Sequence, residues 1–71
     1  MFVKFIHDKT TYDIIEVDGI EKCTIGQITS IRLFKNGNDI GTRIVDSEAY
    51  LMNENGKTID AYHGENFIIK G

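Results

Sequence analysis

The run Ile31-Arg32-Leu33-Phe34-Lys35-Asn36-Gly37-Asn38-Asp39-Ile40-Gly41-Thr42-Arg43-Ile44 decides the fold class. Asn-Gly is the favoured centre of a type I′ turn, because both central residues need φ > 0 and these two tolerate it best. A two-residue loop there pairs Leu33 with Ile40, Ile31 with Thr42 and Thr29 with Ile44. Every member of those pairs is apolar or β-branched, as one face of a hairpin should be.

The same turn chemistry recurs on both sides. Asp18-Gly19 and Asn55-Gly56 lie 18 residues before and 19 residues after Asn36-Gly37, measured between first residues. A loop at Asp18-Gly19 pairs Val17 with Ile20, Ile15 with Lys22, Ile14 with Cys23 and Tyr12 with Ile25. It also sets Glu16 against Glu21, an unfavourable like-charge pair. A loop at Asn55-Gly56 pairs Glu54 with Lys57, Met52 with Ile59 and Tyr50 with Ala61. The Phe2 to His7 segment reads as a strand with apolar residues on both faces, and Asn66 to Lys70 as a short final strand. The fold expected is all-β: a small antiparallel meander of three hairpins plus terminal strands, six to eight in all, closing into a small barrel or sandwich. Residues 1–71 form one β domain, since this length leaves no room for two cores. A competing helical stripe, Ile20, Thr24, Ile28, Ile31 and Phe34, is opposed by Gly26 and by the density of β-branched residues. Asp46-Ser47-Glu48 carries the chemistry of a helix cap for one turn.

Composition agrees with strands. Twelve isoleucines stand against two leucines, with six threonines and seven aromatics; branching at Cβ suits a pleated surface, and the best helix formers are scarce. Only one cysteine is present, so an intrachain disulfide is excluded, and a lone thiol fits a cytoplasmic setting. Two histidines and one cysteine, widely spaced, do not make a structural zinc site. No cofactor is implied. The net charge of −3 and pI near 5.2 disfavour general nucleic-acid binding, which draws on excess Lys and Arg. No apolar run approaches the roughly 20 residues of a membrane helix. Lys4, His7, Asp8 and Lys9 interrupt any secretory signal at the N-terminus.

Candidate chemistry is sparse. His7, Cys23 and Asp8 include the residue types of a thiol–histidine site, yet Cys23 falls opposite Ile14, where cysteine acts as a small hydrophobe. Neither Ser30 nor Ser47 has a recognisable activating neighbour. No catalytic or metal-binding residues are assigned. Asp13, Glu16, Asp18 and Glu21 form an acidic run that lacks the spacing of a calcium loop. It reads as a solvated edge, or as an acidic edge that mimics phosphates for a basic partner. Residues 23–43 carry a local charge of +2 in a chain that is otherwise acidic. In the expected register Arg32 and Arg43 are diagonal neighbours on one face, with Phe34 beside Arg32 and Lys35 adding to the local positive charge, the chemistry of a base-stacking or protein-anchoring patch. Tyr12, Tyr50 and Tyr62 suit the boundary of a core or the rim of an interface.

These features point to a non-enzymatic binding module with a protein partner. Isoleucine- and asparagine-rich usage suits an AT-rich genome and suggests a phage or mobile-element accessory protein that inhibits a host or defence factor. Two other readings are a small OB- or SH3-like barrel that binds single-stranded nucleic acid through Arg32, Phe34, Lys35 and Arg43, and a self-assembling protein that dimerises through a sheet edge.

Overall fold

Seven strands form in a computed structural model that describes residues 1–64. They are β1 (Phe2–Ile6), β2 (Tyr12–Glu16), β3 (Gly19–Ile25), β4 (Ile28–Lys35), β5 (Asn38–Ile44), β6 (Glu48–Met52) and β7 (Thr58–His63). They make two antiparallel sheets: sheet A in the order β2-β1-β6-β7 and sheet B in the order β3-β4-β5. The all-β expectation stands, and no helix occurs among the described residues, so the helical stripe over Ile20–Phe34 and the helical turn after Asp46 are both overturned. The strand expected over residues 66–70 lies outside the described residues.

The simple meander does not hold, because Asp18-Gly19 is not a hairpin turn. β2 pairs with β1, and β3 pairs with β4. The chain therefore crosses from one sheet to the other at Val17-Asp18. The Val17 N–H still bonds to the Met1 carbonyl (2.9 Å) in sheet A, while the next N–H, of Asp18, bonds to Phe34 (2.8 Å) in sheet B. The Asp18 carboxylate accepts a further bond from the Asn36 N–H (2.5 Å). Asp18 thus ties the crossover to the β4–β5 turn. The disfavoured Glu16–Glu21 pair never forms.

The hairpin that replaces it turns at Gly26-Gln27. Gly26 has φ +61° while Gln27 does not have positive φ, the pattern of a type II′ turn with glycine at its first central position. Asn36 (φ 53°) and Gly37 (φ 77°) form the expected left-handed pair between β4 and β5. At Asn55-Gly56 only the glycine has positive φ. There Asn53 organises a longer loop: its carboxamide oxygen accepts the N–H groups of Asn55 and Lys57, and its own N–H bonds to Lys57 O (2.9 Å).

Two bulges alter the expected registers. In β4–β5 the pairing slips between Leu33 and Phe34, so Leu33 faces Gly41, Arg32 faces Thr42 and Ile31 faces Arg43. In β6–β7, Tyr50 does oppose Ala61, but Met52 faces Thr58 and Ile59 is displaced. An extra residue in one strand reverses the faces of everything beyond it.

Both sheets feed one core. Val3, Phe5, Ala49 and Tyr62 from sheet A, Ile31 and Leu33 from sheet B, and Val17 and Val45 from the two crossovers are buried together. The placement of Val17 and Val45 is economical: each chain crossing drives a valine into the space between the sheets. No closed barrel forms among the described residues, since each sheet keeps two edge strands.

Candidate binding surface

The bulge at Ile40 decides the fate of the basic–aromatic cluster. Arg43 now opposes Ile31 and lies on the core side of sheet B; Arg32 and Phe34 remain on its outer side. The four residues expected together are therefore divided between two faces. Arg32 sits between Glu21 (4.0 Å) and Asp39 (3.7 Å) on the outer face. Arg43 reaches across to sheet A, where its guanidinium lies 5.0 Å from the Phe5 ring centroid and 2.8 Å from the Asp13 carboxylate. Lys35 also spans the two sheets, 2.6 Å from Glu16. The signal for this arrangement was Gly41 within a strand, a mark of a bulge; it has φ +128°, and its N–H bonds to Asp39 (2.8 Å).

The acidic run and the basic hairpin, read from sequence as rival sites, are thus bonded to each other. Asp13 meets Arg43 and the His7 ring (2.9 Å), Glu16 meets Lys35, Glu21 meets Arg32, and Asp18 holds the Asn36 backbone. Alternation does put Asp13 and Glu16 on opposite faces of β2. Lys22 adds a further contact between sheets, 5.7 Å from the Tyr62 ring.

These contacts set protonation. Hydrogen bonds from His7 and then Arg43 hold the Asp13 carboxyl below its ordinary value of 3.8. A hydrogen bond from Lys35 lowers Glu16 below 4.5 and reciprocally raises Lys35 above 10.5. In the β1–β2 turn, Asp8 is lowered by the N–H and hydroxyl of Thr10 and then by the N–H of Thr11. A lowered carboxyl stabilises the fold fully above its unfolded pKa and ceases to do so as pH falls through the folded value. A raised lysine acts oppositely, stabilising below 10.5 and losing that effect as pH rises through its folded value. The melting temperature is therefore expected to fall as pH drops from about 5 to about 3. The pair of substitutions Asp13→Asn and Glu16→Gln should flatten that fall, with Asp8 supplying what remains. Circular dichroism melts of both proteins decide it; an acid slope unchanged by the substitutions refutes the ion-pair account.

Cys23 is not in the core. It is exposed in β3, opposite Ser30, whose hydroxyl lies 3.5 Å from the Cys23 carbonyl. His7 belongs to the β1–β2 turn of the other sheet, so the residues of the conceived thiol–histidine site are dispersed. Ser47 lies at the second crossover, where its carbonyl accepts the Gly64 N–H (2.9 Å). Among the described residues there is no cavity, and no group of three or more His, Cys, Asp or Glu side chains is placed to hold a metal.

Sequence reasoning did not assemble the outer face of sheet A. Register sets Phe2, Lys4 and Ile6 of β1 beside Glu16, Ile14 and Tyr12 of β2, and beside Met52, Tyr50 and Glu48 of β6. Tyr12 and Ile14 are 55% and 51% exposed, and Phe2, Ile6, Tyr50 and Met52 are half-buried. Lys4 lies 4.5 Å from the Tyr12 ring centroid, and Glu48 hydrogen-bonds the Tyr50 phenol and raises its pKa. A second apolar area, Ile25, Ile28 and Ile44, occupies the outer face of sheet B, where the three are 74%, 49% and 67% exposed. The sequence pointer was the strand Phe2–Ile6, apolar on both faces, which implies a cover on each side. Of the three tyrosines, Tyr62 joins the core, Tyr50 is half-buried and Tyr12 is exposed.

No protein-family model, curated protein or solved structure matches this chain.

Proposed function

We propose that this protein is a non-enzymatic binding module whose two sheets, packed as an open sandwich, present the outer face of sheet A to a protein partner. The observation that carries this reading is the six-residue apolar and aromatic face: Phe2, Ile6, Tyr12, Ile14, Tyr50 and Met52. Water contact with such a patch is costly, and soluble monomers seldom expose large contiguous apolar areas without a use for them. Tyrosine, phenylalanine and methionine are the side chains enriched at interface centres, and charged groups concentrate at the rim. Here Glu16 and Glu48 lie at the rim, with Lys4 drawn over an aromatic ring.

The test compares three baits in extracts of the cells that make the protein: the native chain, a Phe2→Lys/Tyr50→Lys variant, and an Ile25→Lys control on the opposite sheet. A protein retained by the native chain and the control is purified and its affinity measured against all three. Loss of a buried anchor should weaken binding about tenfold or more, equivalent to about 1.4 kcal/mol. Equal affinity for native chain and double variant, with both folded by circular dichroism, refutes this face. So does the absence of any retained protein.

A further inference from the structure

We infer that a second copy of this chain pairs with the β2 edge of sheet A, antiparallel and centred on Ile14. Among the described residues four strands lie at sheet edges, β2, β7, β3 and β5. Proteins blunt such edges with bulges, lysines or covers, because an open row of N–H and C=O groups accepts another strand. β5 and β7 are bulged. β3 carries Lys22 at its midpoint. β2 has no bulge and no lysine: its register against β1 is regular, its one inward charge, Asp13, is neutralised by His7 and Arg43, and no described strand lies outside it.

Backbone alternation identifies the groups that face outward. Val17 donates to Met1 (2.9 Å) and His7 to Thr11 (3.0 Å), so within this antiparallel register Val3–Ile15 and Phe5–Asp13 are the hydrogen-bonded pairs. Tyr12, Ile14 and Glu16 then aim their N–H and C=O groups away from β1.

The edge is complementary to itself. A two-fold axis through Ile14 sets Ile14 against its own copy, and Tyr12 against Glu16 of the second chain at both ends. Asp13 falls opposite Ile15. No like charges meet directly, and each Tyr12 phenol faces a carboxylate that can accept its proton in a hydrogen bond. Lys4, already 4.5 Å from Tyr12, adds a cation beside that carboxylate. Such pairing is closed and isologous, so it ends at a dimer. It also joins two sheets into one continuous eight-stranded surface, with the exposed Tyr12 and Ile14 side chains at its centre. The pairing shares Tyr12 and Ile14 with the partner face but engages them through the β2 backbone, whereas Phe2 and Tyr50, whose substitution tests that face, lie on the inner strands β1 and β6.

Sedimentation equilibrium over a broad concentration range tests it. The native chain should rise from 8.1 kDa towards twice that mass. Ile14→Lys, which opposes two cations across the axis, should weaken association at least tenfold while leaving the monomer folded. A mass fixed at the monomer value, or unaltered association in Ile14→Lys, overturns the pairing. A second measurement reads the register directly. In a Cys23→Ser/Ile14→Cys chain, the two-fold places residue 14 about 5.5 Å from its copy between Cα atoms, within disulfide reach. Mild oxidation should give a covalent dimer there and none in Cys23→Ser/Ile25→Cys. The reverse result, or equal cross-linking in both, rejects a two-fold at Ile14.

Discussion

Phe5→Ala is expected to remove about 3–5 kcal/mol of folding stability, the usual cost of truncating a buried phenylalanine. A chain of 71 residues has roughly 4–10 kcal/mol in total, at about 0.05–0.15 kcal/mol per residue. One substitution therefore consumes a large part of the whole. Phe5 is 2% exposed and among the largest fully enclosed side chains. Its ring also carries the Arg43 guanidinium, so the variant loses a core filler and the platform beneath a contact between sheets. Arg43→Ala should cost only about 1–2 kcal/mol, since a partly exposed ion pair and cation–π contact each contribute modestly. Urea unfolding of the three proteins checks both sizes. A loss below 1 kcal/mol for Phe5→Ala contradicts the described core, and equal losses for the two variants contradict the division between packing and charge.

The contrast between these residues reflects what could be read from the sequence. Strand identity was legible because isoleucine, threonine and aromatic density is a local property, and the Asn36-Gly37 turn because both residues act on their own φ angles. Asp18-Gly19 has the same local signature. Its aspartate, however, serves a distant purpose: the carboxylate binds the Asn36 N–H, and the crossover it secures leads into a different sheet. Gly26-Gln27, between Ile25 and Ile28, was an equally local turn signal, yet the helical spacing of nearby isoleucines and the stronger Asp-Gly dipeptide obscured it. The β1–β6 pairing joins segments more than forty residues apart, and no turn residue announces such a contact.

Site residues followed the same pattern. Arg32, Phe34, Lys35 and Arg43 are a basic and aromatic set in an acidic chain, but joining Arg32 and Arg43 on one face requires a register without a bulge. One displaced residue at Ile40 moved Arg43 to the core side, where Asp13 neutralises it. Phe2, Ile6, Tyr50 and Met52 could not be gathered on one face without knowing that β1 is central in its sheet. The candidate surface is therefore a product of long-range pairing, whereas the individual strands are products of local chemistry.

Gly19 and Gly64, one beside each crossover, are expected to give opposite results on substitution. Gly19→Ala is expected to be nearly neutral: its φ is not positive, and a Cβ there meets nothing within 4 Å. Reduced backbone entropy in the unfolded chain favours the alanine slightly. A hairpin turn at Asp18-Gly19 requires the contrary, because alanine would then be forced into the left-handed region. Gly64→Ala should instead be harmful. A Cβ at that position collides with the carbonyl groups of Val45 and Asp46, which are backbone and cannot swing aside. Relief demands that the second crossover move, pulling Val45 from the core and straining the Gly64 N–H bond to Ser47. Overpacking of this kind costs about 1–3 kcal/mol. Thermal unfolding of both variants distinguishes the topologies: a melting point lowered at residue 19 and unchanged at residue 64 would restore the simple meander. The opposite order supports two sheets joined by crossovers, with Gly64 chosen because only a hydrogen fits between the chain and the turn it passes.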